Sequence, residues 1–147
     1  MKESIIQFIK KQTCSSICCV DKNGNPYCFS CFYAFNSDEG LLYFKSSSGT
    51  RHSEIISENP GIAGTILPDK LNVLLVKGIQ FEGFVLPENH FLCKNASVNY
   101  HKKYPVALAI QGEILTIQIN SIKMKDSSMG FGKKITWIRK EEVVNAS

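Results

Sequence analysis

Apolar and polar residues alternate over much of this chain, which is the pattern of strands that bury one face. Two such runs, TCSSICCV and YCFSCFYAF, flank Asn23-Gly24, and this dipeptide is the strongest short signal for a hairpin turn. A second turn at NSDEG leads into LLYFKSS, so this part of the chain predicts a three-stranded meander. Ahead of the meander, MKESIIQFIKKQT has near-helical apolar spacing and predicts a short helix laid on the domain.

The chain beyond the meander predicts further strands, separated by short helices. TRHSEIISEN predicts a helix closed by Asn59 and Pro60, and GIAGTIL then predicts a buried strand before a turn at Pro68-Asp69. LNVLLVKGIQFEGFVL is long enough for one bent strand, with bends or close approaches at Gly78 and Gly83. NASVNYHKKYPVALA predicts another short helix.

The last third of the chain adds two strands and fixes the fold class. EILTIQINSIKMK switches its apolar parity part-way along, which indicates a β-bulge near Asn120-Ser121. KKITWIRK predicts the final strand. Six or seven strands with short helices between them predict a mainly β protein, folded as a closed or partly closed antiparallel barrel.

Composition and charge narrow the classes of protein. The 147 residues are 44% hydrophobic and 20% charged, which is typical of one globular domain, and we expect it to span residues 1–147. The net charge is +4, but the lysines form scattered pairs rather than a basic stripe, so we expect no nucleic-acid partner. The N-terminus lacks the pattern of a signal peptide, and no apolar run approaches the ~18 residues of a membrane span. We therefore expect a cytoplasmic protein with no membrane partner.

Six cysteines lie in the chain, most of them in strand-like runs. Without a secreted context they predict reduced core thiols rather than a disulfide framework. Cys28 and Cys31 are three residues apart, so a strand would point their sulfurs to opposite faces, which argues against a shared zinc ion. A metal site and a redox dithiol remain as alternatives.

The stretch YFKSSSGTRHSEIISENP concentrates hydroxyl groups where a strand meets a helix. One hydroxyl suffices to cap a helix, yet the segment offers Ser46, Ser47, Ser48 and Thr50. The Arg51-His52 pair in the first turn is unfavourable for an isolated helix unless an anion compensates the two cations. The residues alone leave two interpretations open, a capped turn and a phosphate site.

The order of these motifs resembles a known family. The hairpin, LLYFKSSSGTRHSEIISENPGIAGTI and VKGIQFEGFV resemble the FMN-binding split barrel of the pyridoxamine-5'-phosphate-oxidase-like superfamily. AGTI, KGIQFEG and FGKKITWIR resemble, more narrowly, its YhbP-like branch of small bacterial proteins. The resemblance covers residues 3 to 140 and implies an FMN-binding split antiparallel β-barrel. It also implies a homodimer with the flavin at the interface.

The resemblance implies a set of residues that hold the flavin phosphate. Ser46 matches the hydroxyl at the strand end, and Arg51 and His52 match the basic pair that contacts phosphate. His52 departs from the lysine usual in the oxidase, so its charge depends on pH. Lys45 lies where the family also contacts the cofactor.

Other residues are matched to the flavin ring and the far side of the site. Ser30, Cys31 and Phe32 match the segment along the isoalloxazine ring and ribityl chain, with an ordinary barrel face as the alternative. Alternation places Ser30 and Phe32 on one face together with Cys28 and Ala34. Lys133 follows the GFG loop, where it either reaches a cofactor or partner subunit or lies at a solvated hairpin tip.

Departures from the oxidase bear on the reaction. SSMGFGKKITW lacks the Arg-x-His that holds the pyridoxal substrate, NYHKKYP lacks the Tyr-and-Arg clamp, and Val73 stands where the oxidase has a flavin-contacting glutamine in its long strand. Pyridoxamine phosphate oxidation is therefore not expected. The resemblance predicts an FMN-dependent oxidoreductase acting on an unidentified small molecule. A non-catalytic flavin- or ligand-binding protein (a sensor, carrier or stress factor) is the alternative. A third possibility is that the fold persists with a site that is empty or holds haem or another flavin-like cofactor.

Overall fold

The computed structural model describes residues 1–130 and 132–140. Within these residues three α-helices form, α1 (Glu3–Lys11), α2 (Arg51–Glu58) and α3 (Ala96–Lys103). Short 3-10 turns follow at Phe91–Cys93, Pro105–Ala109 and Ser127–Met129. The strands are β1 (Cys14–Val20), β2 (Pro26–Asn36), β3 (Leu41–Ser46), β4 (Gly61–Ile66), β5 (Lys77–Val85), β6 (Glu113–Asp126) and β7 (Lys134–Ile138).

The strands close into a barrel. Their order is β3-β2-β1-β4-β5-β6-β7, every pair is antiparallel, and β3 also pairs with β6. The β3–β6 pairing closes six strands into a ring and leaves β7 as an outer strand on β6. The expected mainly β fold with short helices, a split antiparallel barrel, is confirmed, as are the meander and the hairpin turn at Asn23-Gly24.

Two clusters of apolar side chains stabilise the fold. One fills the inside of the barrel, and the other lies under α3 on part of the outside. The interior cluster joins all the closed strands and includes Ile17, Phe44 and Ile117, while the apolar face of α1 contributes Ile5 and Ile9 to it. The second cluster lies between α3 and the outer faces of β2 and β3, and contains Ala34, Leu41, Tyr43, Leu86, Ala96 and Tyr100.

The bulge predicted on β6 is confirmed. Glu82 pairs with Ser121 and Gly83 pairs with Ile119, so Asn120 is the extra residue. A side chain at Gly83 would collide with the carbonyl oxygen of Gln118 on β6. Glycine is therefore required where the two strands approach most closely.

The prediction of one long strand over LNVLLVKGIQFEGFVL is wrong in its first half. β5 begins at Lys77, and the preceding residues form an exposed loop in which Val73 is 93% exposed. Both neighbouring strands end at this level, since Ile66 of β4 pairs with Ile79 and Asp126 of β6 pairs with Lys77. An apolar segment without a strand beside it has no ladder to join. Val73 therefore does not lie in the long strand.

The prediction of core cysteines holds for only some of them. Cys19 is fully buried and Cys31 is half-buried, whereas Cys14 and Cys28 are exposed on the outer faces of β1 and β2. Strand alternation explains the division, and the expected opposite orientation of Cys28 and Cys31 is confirmed. Among the described residues, no three His, Cys, Asp or Glu side chains group as metal ligands would.

The described helices are short, and two parts of the chain are not described. No helix within residues 1–130 and 132–140 combines the length and apolar character needed to cross a membrane. Phe131, the first residue of FGKKITWIR, and residues 141–147 of the expected domain lie outside the described residues.

Candidate functional site

The junction of β3 and α2 is a compact hydroxyl cluster. β3 ends at Ser46, and the chain turns through Gly49, whose φ of +76° favours glycine. Thr50 then caps α2, its Oγ1 accepting a hydrogen bond from the backbone N–H of Ser53 at 3.4 Å. The Ser53 hydroxyl donates back to the Thr50 carbonyl oxygen at 2.8 Å. Helix capping therefore occurs as predicted, and most of the other hydroxyls are left for different contacts.

His52 is the centre of this junction. Its Nε2 lies 2.8 Å from Ser46 Oγ and 3.2 Å from Thr50 Oγ1, and its ring stacks on Phe29 with 4.0 Å between centroids. Ser46 is almost fully buried, with 5% of its surface exposed. Burial lowers the pKa of His52, so the neutral imidazole is favoured at neutral pH. The imidazole is thus fixed in position before any ligand arrives.

Arg51 turns away from this cluster, toward the β1–β2 hairpin. One guanidinium nitrogen, Nη2, donates to Asp21 Oδ2 at 3.2 Å, and the arginine side chain remains 55% exposed. Asp21 also accepts 2.9 Å bonds from the backbone N–H groups of Asn23 and Asn25. Those bonds, led by the Asn25 amide, lower the pKa of Asp21 and keep it ionised. Arg51 is therefore held at one guanidinium nitrogen, and more than half of its side chain is exposed.

Lys45 lies on the opposite face of β3 from Ser46. Its ammonium donates to the carbonyl oxygen of Ala107 at 2.6 Å and lies 3.4 Å from His101 Nε2. His101 Nδ1 lies 2.9 Å from the carbonyl oxygen of Ser97, which can only accept, so the proton of the neutral ring is on Nδ1. Lys45 therefore contacts α3 and the turn after it, and does not join the hydroxyl cluster.

A cavity of about 570 Å³ adjoins the junction on the side away from Arg51. Serines from the loop and from α2 form one wall, and the end of β5 with its continuation to Pro87 forms an apolar wall. Glu113, the first residue of β6, also lines it. The negative charge of this carboxylate would repel a phosphate placed inside the cavity.

The residues matched to the flavin ring occupy two faces of β2. Ser30 and Phe32 lie on the outer face, where Ser30 Oγ is 3.2 Å from Ser16 Oγ and Phe32 is 60% exposed, as the alternation predicts. Ala34 shares that face but is covered by α3. Cys31 points inward, and burial raises the pKa of its thiol to about 12. These residues do not form one continuous surface.

Within one chain, the structure brings together only part of the predicted set. Ser46 and His52 are in contact, and Arg51 adjoins them along the helix. Lys133 lies in an exposed loop, where its backbone N–H donates to the Gly130 carbonyl oxygen at 3.2 Å. The assignment of Ser30, Cys31, Phe32, Lys45 and Lys133 to a cofactor stays a prediction.

Sequence reasoning missed Asp21, the partner of Arg51. Asp21 opens the hairpin turn, and its bonds to Asn23 and Asn25 are those of an Asx turn that the sequence signals locally. Its contact with a residue 30 positions later depends on how the hairpin folds over α2. No spacing within the sequence specifies that contact.

Sequence comparison identifies the relatives of the chain. It is 39% identical over 121 residues to a UPF0306 protein of Photorhabdus laumondii, covering 82% of this chain and 85% of that protein. It is 31% identical over 137 residues to a UPF0306 protein of Yersinia pseudotuberculosis, covering 93% and 92%. The chain belongs to the UPF0306 family. No model in the scan of protein families matches this UPF0306 chain.

Solved structures show what fold this UPF0306 protein shares. A heme binding protein from Mycobacterium smegmatis superposes with a TM-score of 0.74 at 10% identity, over 89% of this chain and 55% of that one. HutZ, the heme storage protein from Vibrio cholerae, gives 0.62 at 14% identity over 80% and 87%. An FAD-binding protein from Mesorhizobium loti gives 0.65 at 16% identity over 86% and 95%. At these identities the likeness establishes the split-barrel fold alone.

Proposed function

We propose that this UPF0306 protein binds FMN, with the flavin phosphate at the junction of β3 and α2. The observation that carries the proposal is the contact of His52 with Ser46 and Thr50 in the first turn of α2, next to Arg51 in the sequence, whose guanidinium is more than half exposed. Hydroxyl, imidazole and guanidinium groups at the start of a helix are the donors that phosphate oxygens accept from.

The donor set of the junction fits a phosphate. Thr50 Oγ1 satisfies the backbone N–H of Ser53, while the first helical N–H groups, those of Arg51 and His52, have no partner within an α-helix. The guanidinium of Arg51 has five N–H groups and uses one nitrogen on Asp21. Because Glu113 lines the cavity on the other side, we expect the phosphate on the Arg51 side of the loop.

The similar structures support a planar cofactor on this fold. Two of them are described as heme-binding or heme-storing and one as FAD-binding. Haem and FMN both have a flat conjugated ring system and carry anionic groups on attached chains. A junction rich in groups that donate hydrogen bonds to phosphate favours FMN over haem.

A homodimer is part of this proposal. Ser30 and Phe32 lie on the outer face of β2, whereas Ser46 and His52 lie at the end of the barrel, so one chain does not enclose a flavin. A second copy would cover the ring and supply the missing wall, with Lys133 as a candidate contact across the interface. Light scattering with and without FMN tests the dimer, and a monomer in both conditions would contradict it.

Each residue has a distinct role in the proposed site. Ser46 orients His52, and an N–H of the His52 ring donates a hydrogen bond to a phosphate oxygen; protonation of the ring at lower pH adds a second N–H. Arg51 neutralises phosphate charge through paired N–H donors. Hydride or electron transfer is the chemistry that bound FMN would supply, and its acceptor is an unidentified small molecule.

Titration with flavins tests the binding proposal. FMN fluorescence should change saturably on adding protein, and riboflavin, which lacks the phosphate, should bind at least about tenfold more weakly. Equal affinities for FMN and riboflavin would contradict a phosphate site at the junction. Tight binding of haem without flavin binding would instead favour the second candidate, a haem-binding protein, which the descriptions of two similar structures support.

A separate measurement distinguishes an oxidoreductase from a non-catalytic flavin-binding protein. The FMN-loaded protein is mixed anaerobically with NADH or NADPH, and the flavin absorbance is followed. Bleaching, followed by recovery with an electron acceptor at a rate above that of free FMN, supports the enzyme. An unchanged spectrum with both nicotinamides and a panel of acceptors supports a sensor or carrier.

A further inference from the structure

Two cysteines face each other on the outside of the barrel. In the register of β1 and β2, Cys18 lies directly opposite Cys28. Both point to the outer face, where Cys28 is exposed and Cys18 is partly exposed. They line an open groove of about 600 Å³ that runs across β1, β4, β5 and β6. A small molecule can therefore reach this pair from solvent.

The hydrogen-bond pattern of the hairpin shows which type of cross-strand pair these two cysteines form. The N–H of Asp21 donates to the carbonyl oxygen of Asn25, and the N–H of Tyr33 donates to that of Thr13. These bonds mark hydrogen-bonded pairs at both ends of the ladder, and such pairs alternate with non-hydrogen-bonded ones. Counting inward from either end makes Cys18–Cys28 a non-hydrogen-bonded pair.

Non-hydrogen-bonded pairs are suited to a cross-strand disulfide. Their Cα atoms lie about 4.5 Å apart, and their side chains approach more closely than in the other type of pair. Disulfides span Cα separations of about 4.4–6.8 Å, so a pair of this type lies at the short end of the range that a disulfide bridges. The neighbouring Cys28 thiol, followed by burial, raises the pKa of Cys18.

The other cysteines of the sheet lack such a partner. Cys14 lies opposite Phe32, Cys31 lies opposite Ser15, and Cys19 lies opposite Tyr27. Each of these three therefore has a different residue across the ladder. They serve as internal controls for the pair.

We propose that Cys18 and Cys28 form a redox-modification site, a dithiol that a low-molecular-weight disulfide oxidises to a reversible cross-strand disulfide. The exposed Cys28 thiolate attacks one sulfur of the oxidant, which releases one small thiol and leaves a mixed disulfide. Cys18 then loses its proton and attacks the Cys28 sulfur, which releases the second small thiol. Two electrons and two protons pass from the cysteines to the oxidant, and thiol reductants reverse the reaction.

The disulfide would close the base of the turn that holds Arg51. Asp21, three residues after Cys18, opens the turn and binds the guanidinium. A cross-link at this position restricts opening of the strands beside the turn, so the amides of Asn23 and Asn25 should exchange hydrogen more slowly after oxidation. The proposal does not depend on flavin binding, and its test requires no cofactor.

Oxidised glutathione is the probe for the test. The purified protein is incubated with it, the reaction is quenched with acid, and intact mass is measured. We expect a loss of about 2 Da with no glutathione adduct on Cys28, recovery on adding dithiothreitol, and a rise in Tm of about 5–10 °C in the oxidised form. Trypsin cleaves after Lys22, between the two cysteines, and fragmentation of the disulfide-linked peptide pair then distinguishes a bond between Cys18 and Cys28 from one through the other cysteines of these peptides, which are Cys14, Cys19 and Cys31.

Matched variants separate this pair from the other cysteines. Cys18→Ser should stop at a glutathione adduct on Cys28, because the second thiol is missing, and Cys28→Ser should show no cross-link. Cys14→Ser and Cys31→Ser should still lose about 2 Da, since neither belongs to the pair. A lasting glutathione adduct on wild-type Cys28, a cross-link that maps elsewhere, or no oxidation of Cys28 would each overturn the proposal.

Discussion

The two parts of the predicted cofactor site differ in how the protein holds them. At the junction of β3 and α2, Ser46 is 5% exposed and His52 is fixed by a 2.8 Å bond and by stacking on Phe29. On the outer face of β2, Phe32 is 60% exposed, and Ser30 contacts another exposed serine. The junction is organised within one chain, whereas the outer face would need another surface to become a site.

The same contrast recurs within the junction, between neighbours in the sequence. His52 is drawn into the barrel end by an aromatic ring and two hydroxyls, while Arg51 projects to the solvent side and pairs with Asp21. Buried groups that are held on several sides affect folding when removed, and exposed charges affect it little. We therefore expect His52 to act on both stability and binding, and Arg51 on binding.

Replacing Arg51 with alanine should produce the largest change in flavin affinity. Hydrogen bonds to charged groups contribute about 1.5–3 kcal/mol, so FMN should bind about 10- to 100-fold more weakly to Arg51→Ala. The affinity for riboflavin should be unchanged, and so should the urea midpoint, because the Asp21 ion pair is exposed on the arginine side. Fluorescence titration with both flavins measures the difference.

Lys22→Ala is the matched control for Arg51→Ala. Lys22 is an exposed cation in the adjacent hairpin turn, so its removal makes the same change in net charge. Its FMN affinity should stay within about twofold of wild type if contact, rather than long-range attraction, accounts for the effect. Equal weakening in the two variants would mean that Arg51 makes no specific phosphate contact.

Replacing His52 with alanine should cost the most stability among these variants. The change removes the ring stacked on Phe29 and the hydrogen bond to Ser46, which together contribute about 2 kcal/mol. Urea unfolding at pH 7.5 measures the loss, with Arg51→Ala as the neighbouring control. If the two variants unfold at the same urea concentration, the junction is not the preorganised part of the site.

The pH dependence of stability should reveal the half-buried imidazole of His52. Burial lowers the pKa of His52 in the folded state below its unfolded value of about 6.5, so the unfolded chain binds its proton first as pH falls. The contribution from His52 is therefore complete above about pH 6.5 and declines as pH drops through that value. His52→Gln should lack this decline, while the other two histidines, His90 and His101, are present in both proteins.

To measure this decline, the urea midpoints of the wild type and of His52→Gln are each determined at pH 7.5 and at pH 5.5, and the change between the two pH values is compared. The wild type should lose more stability than the variant over this interval, by less than the full effect of His52→Ala. Parallel curves would indicate that the imidazole of His52 is as free to take up a proton in the folded chain as in the unfolded one.

The sequence predicted the fold far better than it predicted the assembly of the site. Alternation and the Asn23-Gly24 turn located the meander, and the parity switch at Asn120 located the bulge. These signals are local, because each depends on neighbours within a few residues. The apolar run at 71–76 was assigned wrongly to β5, because hydrophobicity does not report whether a neighbouring strand extends far enough to pair.

The site depended on contacts that no local pattern contains. The hydroxyl-rich stretch located the junction, since cap, turn and helix start are all local features. The pairing of Arg51 with Asp21 and the orientation of Lys45 toward Ala107 follow from how distant segments pack. The facing of Cys18 and Cys28 needed the exact register of the hairpin, which the turn sequence restricts but does not fix.

The smallest expected effect belongs to the outer face of β2 and tests whether that face contacts flavin at all. Ser30 and Ser16 share one hydrogen bond of 3.2 Å, so Ser30→Ala and Ser16→Ala remove the same exposed contact and should each cost less than about 0.5 kcal/mol of stability. If Ser30 lies along the ring, Ser30→Ala alone should weaken both FMN and riboflavin, by about threefold. Equal behaviour of the two variants would leave the outer face as an ordinary barrel surface and the junction as the only part of the site with a role in binding.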